Sequence, residues 1–202
     1  MQNGEQLQLT DGKGNLFTGV ITDNNRKRCA VAILQTTNLQ PQTRKISIAI
    51  SLLKNTSRFE WFLEKATEIG VSEIIPLVCA RTEKTAFKYD RMKSILVSAM
   101  LQSQQCWLPR LHEPAKFSEL VPAALQQQKL IAHCEETGEK KQLSTLQPFS
   151  ASTIILIGPE GDFTPEEIQL ALGNNFSAVA LGNTRLRTET AGVVAASLLC
   201  LV

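Results

Sequence analysis

From Lys45 onward the chain alternates between two hydrophobic periods, and this alternation limits the possible folds more than any other feature. KISIAISLL sets Ile46, Ile48, Ile50 and Leu52 on one side and only Ser or Ala on the other, so both faces of a strand here can be covered. The period then changes: Phe59, Phe62, Leu63, Ala66 and Ile69 form one stripe at helical spacing, ended by Gly70. Ser57 is the predicted cap of that helix, with Glu60 at the capping-box position. EIIPLV reads as a second strand. Met92, Ile95, Leu96 and Ala99 predict a helix over residues 90–106, stopped by Pro109. KLIAHC, STIILIG and SAVALG read as three more strands, and TETAGVVAASLLCLV as a closing helix. Strands and helices alternating at this spacing predict an α/β fold, a mostly parallel sheet with helices on both faces.

The first forty residues obey a different rule. LQL, LFTGVI and CAVAIL are joined by the turns DGKGN and TDNNRKR, which predicts an antiparallel meander. Such a sheet has one apolar face and too few residues to stand alone. Met1 is therefore expected to open inside a domain whose earlier strands are missing, unless the meander leans on the rest of the chain. TTNLQPQTR, polar and carrying Pro41, is the expected linker. It divides the chain into a partial small β domain at 1–43 and an α/β domain at 44–202.

Composition narrows the class. Of 202 residues 43% are hydrophobic and 20% charged, and no apolar run approaches the roughly 20 residues of a membrane span. A soluble protein without a membrane partner is expected, and with no secretory signal at the N-terminus the expected location is cytoplasmic. Cys29, Cys79, Cys106, Cys134 and Cys200 are odd in number and widely spaced, as reduced core thiols of a cytosolic protein would be. With only His112 and His133 and no CxxC pair, no metal site is expected. The net charge of +2 conceals an asymmetry: residues 44–93 carry ten Lys/Arg to six Asp/Glu, and residues 113–170 carry four to nine. A basic middle suits a polyanion partner, and solvated helix faces explain it equally well.

Two turns carry the chemistry. In LIGPEGDFTPEEI an apolar run stops at Gly158, and Thr164, Pro165 and Glu167 then make a strong helix start. GPEGDF thus connects the C-terminal end of a strand to a helix N-terminus, the edge where parallel sheets hold ligands. SAVALG ends in a second such turn, GNTRLRTETA. The interval from Gly158 to Gly182 fits one helical crossover, so both turns are expected at the same sheet edge, forming one pocket. Taken singly, each glycine merely ends a strand; together, with Glu160, Arg187 and Glu189 concentrated there, they point to a binding site. No GKS or GKT follows a glycine-rich loop and no GxGxxG follows the first strand, so P-loop and dinucleotide readings fail. Ala191, Gly192, Ala195 and Ala196 give the closing helix a face of small residues, which is expected to be buried in the core or at a dimer contact.

LIGPEGDFTPEEI and ALGNTRLRTETA, with KNTSRFEWFLEKATEIGVSEIIPL and the following Arg81, resemble the bacterial 16S ribosomal RNA uridine N3-methyltransferases of the SPOUT class. The resemblance spans most of residues 45–202. It implies a C-terminal trefoil knot, a PUA-like RNA-binding β-barrel at the N-terminus, S-adenosylmethionine as cofactor, 16S ribosomal RNA or the small ribosomal subunit as partner, and a homodimer. It also implies that Ile157, Gly158, Pro159, Glu160 and Gly161, Leu181 and Gly182, and Leu186, Arg187, Thr188, Thr190 and Ala191 hold the cofactor. Arg187 would stabilise the uracilate oxygens or fix a phosphate, and Glu189 would either accept the N3 proton or orient Arg187; an ion pair bracing the turn is the plainer account of both. Lys54, Arg58, Lys65, Arg81 and Lys84 are candidate phosphate contacts, while Trp61 and Trp107 fit base stacking less well than packing. One departure stands out. An arginine is expected near Gln105, and QSQQCWLP has none. Two rival functions remain open: an α/β enzyme that binds another nucleotide or a sugar phosphate at the same turns, and a non-catalytic RNA-binding assembly factor.

Overall fold

The computed structural model describes residues 1–135 and 140–201. Its first strands, β1 (Gln6–Thr10), β2 (Asn15–Asp23) and β3 (Ala30–Asn38), pair antiparallel in that order. Asp11 fixes the first turn, its Oδ1 accepting from the amides of Lys13 at 2.8 Å and Asn15 at 3.3 Å. Gly14 is needed twice over: its φ is 90°, and a Cβ would run into the Trp107 ring. Its amide donates to the Cys106 carbonyl at 2.8 Å, and the Leu108 amide donates to the Gly12 carbonyl at 2.9 Å. The meander therefore leans on the segment around residues 106–108. Trp107 serves that contact, which is the packing role favoured for it.

The remaining elements are β4 (Lys45–Ser51), α1 (Thr56–Ile69), β5 (Glu73–Val78), α2 (Tyr89–Gln102), β6 (Arg110–Leu111), β7 (Ala115–Lys116), α3 (Phe117–Ala123), β8 (Gln128–Ala132), β9 (Lys141–Gln142), a single 3₁₀ turn at Leu143–Thr145, β10 (Ser152–Ile157), α4 (Pro165–Gly173), β11 (Ser177–Ala180) and α5 (Thr188–Cys200). All the strands pair in parallel in the order β6-β5-β4-β10-β8-β11-β9, with β7 beside β5. Ile46, Ile48 and Ile50 of β4 face a core completed by Phe59, Phe62 and Leu63 of α1, Leu96 of α2 and Ala195 and Leu199 of α5. Ala49, Ile75, Ile131, Ile154 and Leu156 face the other way, toward Phe117 and Val121 of α3 and Ile168 and Ala171 of α4. Both faces are covered, as the sequence of β4 predicts, and each fully buried Phe or Ile stabilises this arrangement by roughly 1.5–3 kcal/mol.

Local details differ from expectation. The cap of α1 is Asn55, whose side chain accepts from the Ser57 amide at 3.0 Å; Ser57 lies inside the helix, and Glu60 pairs with Arg91 instead of closing a capping box. α2 ends at Gln102, well before Pro109, because the Ser103 hydroxyl donates back to the Ala99 carbonyl at 2.7 Å and Gln104 turns to a φ of 56°. Gln105 has structural work in place of the expected arginine: its Nε2 donates to the carbonyls of Thr67 (2.8 Å) and Glu68 (2.9 Å), closing the last turn of α1. All five cysteines are free. Cys79 and Cys106 are buried, and burial pushes the Cys79 thiol up to about 12, whereas Cys29 and Cys134 are exposed and are not core thiols. Among the described residues no helix is long and apolar enough to cross a membrane.

Candidate active site

The turn after β10 forms as its residues dictate. Thr164 accepts from the Glu167 amide at 3.3 Å while the Glu167 carboxylate accepts from the Thr164 amide at 3.0 Å, the full capping box. Glu167 also accepts from the Ala80 amide at 2.8 Å, which ties this helix start to the end of β5. Gly158 is required by close approach, since a Cβ there would sit 3.2 Å from the ring and amide of Phe163, a side chain buried against Phe117. Asp162 adopts a φ of 62° and accepts from the Cys134 amide at 2.8 Å. Arg81, expected among the RNA contacts, reaches across and donates from Nη1 to the carbonyls of Gly161 (2.6 Å) and Phe163 (3.3 Å).

Both glycine turns lie at the carboxyl edge of the sheet, but they are not neighbours, because β8 runs between β10 and β11. The expected adjacency of the two turns is thereby corrected: the end of β8 stands between them. A cleft of about 450 Å³ is lined by Leu181, Gly182, Leu186 and Ala191 from the second turn and its helix, together with Ala132, His133 and Cys134 from the end of β8. Arg185 and Lys140 stand at its wall. The space a Cβ on Gly182 would occupy is open, so glycine leaves room there. Ile157, Gly158 and Pro159 are buried beside it and Glu160 and Gly161 are exposed, none of the five lining this cleft; the Asp162 to Cys134 hydrogen bond connects that turn to it. Sequence reasoning missed His133, Cys134, Lys140 and Arg185. For the first two the signal was present, since residues just past a parallel strand's carboxyl end face the ligand edge.

Arg187 caps α5 and is exposed, and it makes no ion pair with any described residue. Thr188 and Glu189 are buried and Thr190 is half-buried. The expected Arg187–Glu189 brace does not form; Glu189 Oε1 instead faces Arg58 Nε at 3.7 Å. Other expected RNA cations are also engaged. Lys54 pairs with Glu83 at 2.7 Å, and its amide donates to Glu160 at 3.2 Å. Lys84 donates to the Thr56 hydroxyl at 3.1 Å, and Lys65 lies between Glu64 (2.7 Å) and Glu68 (3.1 Å). Trp61 is 44% exposed on α1. His133 is buried, and its Nδ1 has no hydrogen-bond partner among the described residues; burial first, then the Lys140 charge, holds its pKa below the ordinary value.

Fold and edge together define an α/β protein with a cleft at the carboxyl ends of parallel strands, the edge where such sheets hold ligands. The chain belongs to the RNA methyltransferase family: the model of the RNA methyltransferase domain matches residues 40–200, and that of the RNA methyltransferase PUA domain matches residues 1–34. The ribosomal RNA small subunit methyltransferase E of Synechocystis is 29% identical over 96% of this chain, which spans 65% of that relative's length. A crystal structure of the Neisseria gonorrhoeae ribosomal RNA small subunit methyltransferase E bound to S-adenosyl methionine matches with a TM-score of 0.88 and 29% identity, covering 98% of this chain and 83% of that one. A probable rRNA-methyltransferase from Porphyromonas gingivalis matches with a TM-score of 0.93 and 37% identity, covering 100% of this chain and 87% of that one.

Proposed function

We propose that the protein is an S-adenosylmethionine-dependent methyltransferase that methylates N3 of a uridine in the 16S RNA of the small ribosomal subunit. In this reading it works in the cytoplasm as a homodimer, residues 44–202 are the catalytic domain with a C-terminal trefoil knot, and residues 1–43 are part of a PUA-like RNA-binding barrel. The observation that carries the reading is the cleft beside Gly182 and Ala191, with Arg187, exposed and unpaired among the described residues, at the start of the same helix. The donor set suits the cofactor. Asn183, Thr184 and Arg185 give the lining polar groups, while Leu181, Leu186 and Ala191 offer apolar surface for the adenine.

When bound, the cofactor supplies an electrophilic methyl group. The protein's part is to orient the base and to favour charge on it. Uracil N3 must lose its proton before its electron pair can attack, which leaves negative charge on the base. The Arg187 guanidinium is suited to that charge or to a neighbouring phosphate. Glu189 is suited to take the proton or to fix the geometry at the start of α5. The test is Arg187→Ala with labelled cofactor and unmethylated small subunits: methyl transfer is expected to be lost while S-adenosylhomocysteine affinity is kept, and normal turnover would overturn the assignment. Calorimetry with S-adenosylhomocysteine, ATP and NAD separates this reading from another nucleotide enzyme, since only the true ligand stabilises the fold.

A further inference from the structure

α1 and α5 meet along one seam, and two of its contacts lie a helical turn apart. At the first, a Cβ on Gly192 would fall 2.6 Å from a Phe62 ring carbon and 2.8 Å from Ile50 Cδ1, so the helix approaches as closely as a bare backbone permits. At the second, Arg58 Nε stands 3.7 Å from Glu189 Oε1. Positions 58 and 62 share a face of α1, as 189 and 192 share a face of α5. The absent side chain at Gly192 thus sets the separation that brings Glu189 within reach of Arg58. Glu189 has a side chain only 9% exposed, and a buried carboxylate is costly without a cation. Two residues earlier, Arg187 is exposed and unpaired among the described residues.

We infer that Arg58 is a positioning residue for methyl transfer, holding the Glu189 carboxylate at the α1–α5 seam and so keeping Arg187 free for the anionic substrate. This rests on the reading of Arg187 given above. It also reassigns Arg58, which on sequence belongs with the phosphate-contacting cations. Without Arg58, Glu189 and Arg187 are left as opposite charges at one helix start, and pairing between them withdraws Arg187 from the substrate.

The experiment compares Arg58→Ala, Arg58→Lys, Glu189→Gln and the Arg58→Ala/Glu189→Gln double variant, using the full chain, labelled S-adenosylmethionine and unmethylated small subunits. Arg58→Ala is expected to lower kcat at least about tenfold, the scale of a catalytic group displaced by a fraction of an ångström. KM for the particles and Kd for S-adenosylhomocysteine stay within about twofold, because only positioning has changed. Arg58→Lys, which keeps the charge, recovers part of kcat; this arm carries the test if the alanine variant melts early. In the double variant the two losses are non-additive, as for residues acting through one contact. A raised KM at unchanged kcat would return Arg58 to the RNA contacts, and additive losses or an unchanged kcat would also overturn the inference. Full turnover by Arg187→Ala is a separate failure that sinks the underlying reading instead.

Discussion

Arg81 donates from Nη1 to the carbonyl oxygen of Gly161 at 2.6 Å, binding the end of β5 to the turn that follows β10. Gly161 has no side chain to hold, and a Cβ there would sit 3.3 Å from Arg81 Cδ, so the two residues fit as a bare carbonyl beneath a guanidinium. Arg81 is exposed, and its guanidinium is engaged by backbone carbonyls of this turn.

Replacing Arg81 with Ala is therefore expected to loosen the Gly158–Phe163 turn. Discounting for its exposure, the loss of a charged hydrogen bond should weaken S-adenosylhomocysteine binding by about five- to tenfold. The salt dependence of RNA affinity should not change, because no phosphate contact is lost. Calorimetry and salt titration of binding measure the two effects. Unchanged cofactor affinity would show that this turn takes no part in the cofactor site.

Gly192→Ala places a methyl group against Phe62 and Ile50, both fully buried. Overpacking of this kind costs about 1–3 kcal/mol, and a urea denaturation curve should shift its midpoint accordingly at unchanged slope. The same substitution should lower methyl transfer, since pushing α5 outward carries Glu189 away from Arg58. A variant as stable and as active as the parent would mean that the seam is looser than the contacts describe.

Acid should destabilise the fold before most carboxylates titrate. Burial first, with help from Arg110 and Lys45 against the opposing Glu73, holds the His112 pKa below its ordinary value, and burial with Lys140 does the same for His133. Each imidazole binds a proton more readily in the unfolded chain, so the stability it contributes is present above roughly pH 6.5 and is lost as pH falls below that. Melting temperature should drop between pH 7 and pH 5.5, and a His112→Gln/His133→Gln chain should show a flatter profile. An identical slope in that variant would assign the loss to other groups.

Much of this architecture is written in local pattern. The isoleucines of β4, the stripe of α1 and the capping box at Thr164 each follow from periods or spacings within a dozen residues. β6, β7 and β9 have two residues each, too few to carry a period, and α3 is a seven-residue helix with Pro122 inside. Asn55 and Ser57 are both good caps, and tertiary context chose between them. The site was legible in its glycine turns but not in its closure. Nothing local says that β8 inserts between β10 and β11, that Arg58 rather than Arg187 meets Glu189, or that Arg81 reaches the carbonyl of Gly161. Those depend on contacts between segments distant in sequence.

The position of β10 has a consequence for synthesis on the ribosome. This strand lies at the middle of the large sheet, joined to β4 on one side and β8 on the other, yet it spans residues 152–157. Until it emerges, β8 has neither of its neighbours, because β11 comes later still. The nascent chain thus displays an unpaired edge on β4 from residue 51 until residue 152, joined by both edges of β8 from residue 132, the kind of surface that invites aggregation. Prompt arrival of the last fifty or so residues protects the molecule as well as completing its cleft.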